Sequence, residues 1–172
     1  PEWPRLEALG ATVVIDRTAL VSVRNQGTLA GVPVQDAEVR VPDLVRDATV
    51  EVSSSDLVAV TGLLGFLRAS PIARYVGPTL NDITGGGQVA AELDVRVPIA
   101  RPDDFAVTGR FDVRRASLGL RGLDFGLTDL AGTVRLQNTE LRATGIRGRF
   151  LDEPVTIDLR PAGPDEPGQS FV

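Results

Sequence analysis

Three pairs of adjacent acids are the first candidates for chemistry in this sequence: Asp103–Asp104, Asp152–Glu153 and Asp165–Glu166. Two carboxylates could serve as the acid and base of a glycosidase, or could bind calcium. Each pair, however, lies beside a proline, where acidic residues ordinarily occupy solvated turns. We therefore interpret the pairs as turn residues, and we predict no catalytic residue and no metal site.

The glycine run Gly85–Gly87 invites comparison with a phosphate-binding loop. Such a loop requires a Gly-Lys-Ser/Thr sequence and a following helix, whereas a predicted strand follows this run from Val89. The arginine pairs Arg114–Arg115 and Arg147/Arg149 could hold an anionic head group, because a guanidinium binds phosphate well. We favour the interpretation that they lie on the charged outer face of a sheet, beside acids of neighbouring strands.

The composition removes most other chemistry. The chain has no His, Cys or Met, and all 18 of its basic residues are arginine. These absences exclude a general base that titrates near neutral pH, a thiol nucleophile, a Schiff-base lysine and a zinc or haem site. The net charge of −5 also disfavours nucleic acid as a partner. We expect a protein that is not an enzyme and that needs no cofactor.

An alternation of apolar and polar residues with a period of two dominates the sequence. It is typical of antiparallel strands with one wet face, and it predicts about nine or ten strands. The apolar members, which we expect to share one face, are Val13, Ile15, Val21, Val23, Val39, Val41, Val50, Val52, Leu93, Val95, Val97, Val107, Phe111, Val113, Val134, Leu136, Val155 and Ile157.

A weak internal repeat is visible when the sequence is shifted against itself by 133 − 12 = 121 positions. Both copies contain a strand, a turn, a second strand, a glycine-rich bend and then Pro-Val opening another strand. The repeat predicts a β-meander unit that is used twice. The residues that fall on identical partners are Thr12, Val13, Thr18, Leu20, Pro33 and Val34.

One segment departs from the alternation and predicts a helix from Ser54 to about Ala69. Ser54 or Ser55 is the expected N-cap, and Ser70–Pro71 should end the helix. We place the whole helical insertion at about residues 54–77. Its apolar residues recur at helical spacing and are expected to pack on the apolar face of the sheet: Leu57, Val60, Leu64 and Leu67.

The domain organisation follows from these patterns. We interpret residues 1–160 as a single β segment and residues 161–172, rich in Pro, Gly and acids, as a linker or tail. The chain suits one domain or a slice of a larger repetitive protein, and its longest apolar run, near Leu57–Leu67, is too short to span a bilayer.

The apolar face is too wide for the helix to cover. About ten strands offer roughly 1,000 Å² on one face, whereas a helix of about sixteen residues covers roughly 240 Å². Two architectures remain open. The sheet could close as a β-sandwich or β-solenoid that acts as a structural or adhesive spacer, or it could stay open, with its uncovered strip against lipid or a partner.

The order of four motifs adds a resemblance. They are Gly27-Thr-Leu-Ala-Gly-Val-Pro-Val, Phe66-Leu-Arg-Ala-Ser-Pro-Ile-Ala, Gly132-Thr-Val-Arg-Leu and Glu153-Pro-Val-Thr-Ile-Asp-Leu. Each is loose by itself. Their order, over roughly residues 6–160, resembles the YhdP-type envelope proteins of the AsmA-like superfamily.

The resemblance implies a fold and a function. The fold is mostly β, an extended and curved antiparallel sheet (a groove, or taco-like) with one short helical insertion. The function is a segment of a periplasmic hydrophobic groove that conducts phospholipids between the inner and outer membranes of Gram-negative bacteria, tethered to the inner membrane through the parent protein. The alternating apolar residues would line this groove. The implied partners are phospholipid acyl chains, the remainder of the parent protein and the two membranes.

Overall fold

The structure, a computed structural model, describes residues 4–71, 73, 78–138 and 140–161. These residues form nine strands, the α-helix α1 (Val60–Ala69) and a 3-10 turn (Pro78–Asn81) between α1 and the fifth strand. The strands are β1 (Leu6–Asp16), β2 (Ala19–Leu29), β3 (Val32–Val41), β4 (Thr49–Ala59), β5 (Ile83–Pro98), β6 (Ala106–Leu120), β7 (Gly126–Gln137), β8 (Glu140–Phe150) and β9 (Glu153–Leu159).

The described strands form a single sheet, in which each strand lies antiparallel to the next in the order β1 to β9. Among them, β1 and β9 each pair with one neighbour, so the sheet is open. The prediction of an extended antiparallel sheet with a short helical insertion is confirmed. The alternative of a closed β-sandwich or β-solenoid is wrong, because a sandwich needs a second packed sheet and these strands form one.

Bulges interrupt the ladders of most strand pairs and bend the sheet. The register shifts between Gly86 and Gln88 on β5, and between Arg114 and Ala116 on β6, beside Gly87 and Arg115 in the left-handed region. A bulge bends its strand and increases the local twist. Similar shifts occur on β1, β2, β7 and β8. The sheet consequently curves around α1.

The predicted repeat is visible in the strand boundaries. Ala19–Leu29 of β2, displaced by 121 residues, coincides with Glu140–Phe150 of β8. The repeat extends to the unusual backbone conformations, because residues with positive φ recur at the same displacement. The matching positions are Ala8 and Asp129, Arg17 and Asn138, Arg24 and Gly145, Ala30 and Leu151, and Gly31 and Asp152.

The hydrophobic core lies on one side of the sheet and runs from α1 across β5 to β8. Val60 and Leu64 of α1 pack there with buried residues of the sheet, among them Val107, which has no exposed surface. At the β1 end nothing in the described chain covers the sheet. Val13 and Ile15 of β1 therefore remain 53% and 64% exposed.

The start of the helix differs from the prediction. Residues 54–59 continue β4, pairing with β5 from Ser54 opposite Leu93 to Ala59 opposite Gln88, and α1 begins only at Val60. Ala59 is the N-cap and makes no side-chain capping hydrogen bond. Pairing with the long strand β5 satisfies the backbone groups of this segment and overrides its helical spacing.

The end of the helix agrees with the prediction, because α1 ends at Ala69 with Ser70 as the C-cap. Most of residues 71–77, and residues 162–172 of the expected tail, lie outside the described residues. No helix in the described part of the chain combines the length and apolar character needed to cross a membrane.

A candidate apolar groove

The cross-strand register shows which side chains share a face, since residues directly opposite one another in an antiparallel pair project on the same side of the sheet. One row of opposed residues crosses six strands. We call the face that carries this row the groove face. The row is Val13, Ser22, Val39, Val52, Val95 and Val107.

The structure places all the predicted face residues on the groove face except Val21 and Val23. The cross-strand register also identifies the groove face on β6 to β9, where Phe111 lies opposite Val134 and Ile146 lies opposite Ile157. The predicted residues on the groove face are Val13, Ile15, Val39, Val41, Val50, Val52, Leu93, Val95, Val97, Val107, Phe111, Val113, Val134, Leu136, Val155 and Ile157.

Val21 and Val23 were predicted for this face and lie on the opposite one. Val21 is paired with Val14 of β1 and with Arg40 of β3, on the charged side of the sheet. Leu20 and Ser22 take the groove side of β2 instead. The prediction failed because β2 carries apolar residues in both of its alternating sets, so the pairing with β1 and β3 decides which set faces the groove.

Leu57 is the second correction. It was expected to pack on the sheet from a helix, but it lies on β4 opposite Ala90, on the side away from the groove, and is 65% exposed. The other three predicted helix residues occupy the groove. Val60 and Leu64 belong to the core, and Leu67 packs against it.

Two polar side chains interrupt the groove face on β2, and both are buried. Asn25, only 2% exposed, donates from Nδ2 to the carbonyls of Ser22 at 2.8 Å and Ala37 at 2.7 Å. Its Oδ1 accepts a hydrogen bond from Ser22 Oγ at 2.6 Å. These bonds lie beside the register shift between Ser22 and Asn25, and they satisfy the Asn25 amide and the Ser22 hydroxyl, which is what makes a buried polar pair tolerable here. The alternation gave no sign of this pair.

An apolar cleft lies between α1 and the curved half of the sheet. This central cleft has a volume of about 210 Å³, and every residue that lines it is aliphatic or phenylalanine. Leu64 and Leu67 of α1 form one wall, and Leu130 of β7 and Ile146 of β8 belong to the other.

A second apolar cleft lies on the groove face beside the first, towards the end of the strands. This rim cleft, of about 260 Å³, shares Leu118 with the central cleft. Phe125 and Phe150 meet there edge to face, with ring centroids 5.8 Å apart. Leu120 and Leu123 are partly exposed beside them. The alternating pattern gave no sign of this group, because its residues come from turns and strand ends outside that pattern.

A third, smaller cleft lies on the other side of α1, where β3 and β4 diverge. This β3–β4 cleft has a volume of about 70 Å³. The ladder between β3 and β4 has only three opposed pairs, from Glu38 and Ser53 to Arg40 and Glu51. Unlike the central cleft, it contains a carboxylate, that of Asp56.

The opposite face of the sheet is charged. Arg96 forms an ion pair with Glu51 at 3.2 Å across β4 and β5. On β6, Asp112 accepts hydrogen bonds from Thr133 Oγ1 at 2.5 Å and from the Arg110 guanidinium at 3.1 and 3.2 Å. The hydroxyl first, and then the guanidinium, lower the pKa of this carboxyl below its ordinary value. Its charged and hydrogen-bonded side chains suit this face to contact with water.

The two acidic pairs among the described residues lie in different loops and turns. Asp103–Asp104 follows β5 in the loop to β6, and Asp152–Glu153 lies at the turn from β8 to β9. Asp165–Glu166 lies outside the described residues. Within the described ranges, no group of three or more His, Cys, Asp or Glu residues is arranged to hold a metal ion.

The glycine run and the arginine pairs also occupy the sheet. Gly85–Gly87 lies within β5, and a Cβ on Gly87 would lie 2.9 Å from the Ala116 backbone of β6. The glycines therefore allow close strand packing.

The arginine pairs lie on β6 and β8, the strands on either side of β7. Arg114 and Arg147 both lie opposite Ala131 on the charged face.

Comparison with known proteins places these features in a family. The family model described as YhdP protein matches residues 1–170. A curated relative, the intermembrane phospholipid transporter YhdP of Escherichia coli (strain K12), is 22% identical over 160 residues. That alignment covers 92% of this chain and 12% of the relative, so the chain spans about an eighth of the relative's length. No solved structure shows a significant match.

Proposed function

Since the chain belongs to the YhdP family, we propose that its groove face is one segment of a hydrophobic groove that conducts phospholipids between the inner and outer membranes. The segment makes and breaks no covalent bond. The E. coli relative is named as an intermembrane phospholipid transporter. What supports the same role here is the combination of that kinship with an apolar face on an open sheet.

The observation that carries the proposal is that the aliphatic residues on the groove face of β1 remain accessible. Val13 and Ile15 are more than half exposed, although they lie on the same face as the core residues Val95 and Val107. Apolar surface of this kind gains about 25 cal/mol for every Å² that is removed from water. A phospholipid acyl chain lying along the row would supply that cover.

The mechanism follows from the two faces of the sheet. Acyl chains would slide along the groove face, where an apolar wall offers no directional bond that must be broken at each step. Head groups would remain in water near the ends of the strands. The charged opposite face, with pairs such as Arg96 and Glu51, keeps the back of the sheet in solvent.

The location and partners of the segment belong to the same proposal. We place it in the periplasm, tethered to the inner membrane through the rest of the parent protein. Its ligand is the acyl chain of a phospholipid, its neighbours in the chain continue the groove, and the parent connects it with both membranes. The kinship over 92% of this chain supports this placement.

Organic extraction of the purified chain, followed by lipid mass spectrometry, tests the proposal. The matched variants are Val13→Asp and Val14→Asp, because these neighbouring valines are 53% and 55% exposed and lie on opposite faces. We expect phospholipid with the wild type and with Val14→Asp, and several-fold less with Val13→Asp. Absence of phospholipid from the wild type, or equal amounts in the two variants, would count against the groove.

A further inference from the structure

Helix α1 lies across the groove face, seated on strands to either side of β4. A Cβ placed on Gly62 of α1 would lie 2.9 Å from Val32 Cγ2 of β3. A Cβ placed on Gly85 of β5 would lie 2.6 Å from Cγ1 of Val60, the first residue of α1. The two glycines therefore let the helix approach the sheet closely at both places.

The C-terminal end of α1 is also held in place. The guanidinium of Arg68 donates to the carbonyl of Leu80 at 3.1 Å and to that of Ile83 at the start of β5. The buried Ser70 hydroxyl donates to the carbonyl of Leu67 at 3.1 Å. Close contacts at one end and charge-assisted hydrogen bonds at the other make α1 a fixed bar across the groove.

The bar divides the apolar surface. The central cleft lies on one side of α1 and the β3–β4 cleft on the other, and two residues line both. They are Leu63, which projects from α1, and Phe111, which projects from β6. These two side chains therefore lie at the boundary between the two clefts, which we call the wall.

We propose that Leu63 and Phe111 close the inner end of a binding site for a single acyl chain. The chain enters at the rim cleft, passes Leu118 into the central cleft, and stops with its methyl end against this wall. This inference rests on the proposed function and adds to it a specificity: the length of acyl chain that the segment holds is set by the two residues.

The chemistry changes at the wall in the way such a site requires. Only apolar side chains line the central cleft. Beyond the wall, the β3–β4 cleft contains Ser54 and Asp56, and the Asp56 carboxylate accepts a hydrogen bond from the Gln35 backbone N–H at 3.4 Å. An acyl chain that reached this carboxylate would remove water from it without replacing the lost hydrogen bonds. The end of the chain is therefore held on the apolar side.

A homologous series of single-chain lysophospholipids tests the wall, with competition against a fluorescent fatty acid as the measurement. For the wild-type chain, affinity should rise by up to about fourfold for each added methylene and then level off when the acyl chain reaches the wall. Leu63→Ala should move this plateau to longer chains, and Leu63→Phe should move it to shorter ones. Leu57→Ala, on the opposite face, should leave it in place.

The outcomes separate this inference from the proposed function. If no lysophospholipid binds the wild type, the groove itself fails. Suppose that the series binds, but that affinity levels off at the wild-type chain length in both Leu63 variants, or that Leu57→Ala shifts this length as much as they do. The role of Leu63 and Phe111 would then be wrong, while the groove would stand. Circular dichroism reports whether each variant folds. Should Leu63→Ala unfold, the plateau of Leu63→Phe decides alone.

Discussion

Gly85 of β5 lies directly beneath Val60, the first residue of α1, at a distance that leaves no room for a methyl group. An added Cβ would lie 2.6 Å from Val60 Cγ1 and 3.1 Å from Leu118 Cδ2. The contact sets how closely the helix sits on the groove face. It also brings the glycine run and the helix together, two features that nothing in the sequence pattern connects.

Replacing Gly85 with alanine should therefore lift the start of α1 from the sheet. Overpacking of this kind typically costs about 1–3 kcal/mol of the free energy of unfolding, and we expect Gly85→Ala to fall in that range by urea denaturation. Gly10→Ala is the matched control, because no atom lies within 4 Å of a Cβ built there. Equal stability of the two variants would show that α1 is not seated as described.

Asn25 should be the polar residue on the groove face whose loss is most costly. Asn25→Ala removes the donors to the carbonyls of Ser22 and Ala37 and leaves both without that partner in a buried site. An unsatisfied buried group costs about 1–3 kcal/mol, so we expect a loss of about 3 kcal/mol in the free energy of unfolding. Gln26→Ala, at the exposed neighbouring position, should be nearly neutral. A neutral Asn25→Ala would contradict the account.

The stability of the charged face should depend on pH through Asp112. Its pKa is lowered in the folded protein by the Thr133 hydroxyl and the Arg110 guanidinium. A carboxyl with a lowered folded-state pKa stabilises the fold above its unfolded-state pKa of about 3.9, and this contribution is lost as the pH falls through the folded-state pKa.

The difference in free energy of unfolding between the wild type and Asp112→Asn should therefore shrink as the pH falls below about 4. Urea denaturation from about pH 6 to about pH 3 measures it. In addition, Thr133→Val should raise the pKa of Asp112, which can be followed by NMR titration of the carboxyl carbon. A difference that is constant over this range would rule out the proposed linkage.

The period-two alternation was sufficient to assign most of the groove face, because strands with one face in water alternate polar residues with apolar ones. It failed at Val21 and Val23, because both alternating sets of β2 contain apolar residues and the groove side carries Ser22 and Asn25 beside Leu20. Hydrogen bonding between those two residues makes polar side chains acceptable in the groove. Such compensation depends on contacts that a pattern of residue types does not contain.

The start of α1 could not be predicted from the sequence, for a related reason. Residues 54–59 have neither strong strand nor strong helix character, and they become a strand because β5 offers them a ladder partner. The division of the groove by Leu63 and Phe111 depends on the same tertiary placement. By contrast, the repeat of 121 residues was visible in a few identities and proved to include the bulges and turns.

The groove itself is tested most directly by photo-crosslinking in cells, with a photoreactive amino acid in place of Val13 or of Val14. Val13 and Val14 are neighbours on β1 with nearly equal exposure, at 53% and 55%, and differ in the face they occupy. A phospholipid adduct at position 13 with little or none at position 14 is the predicted result. Equal adducts at both positions, or none at position 13, would contradict the groove.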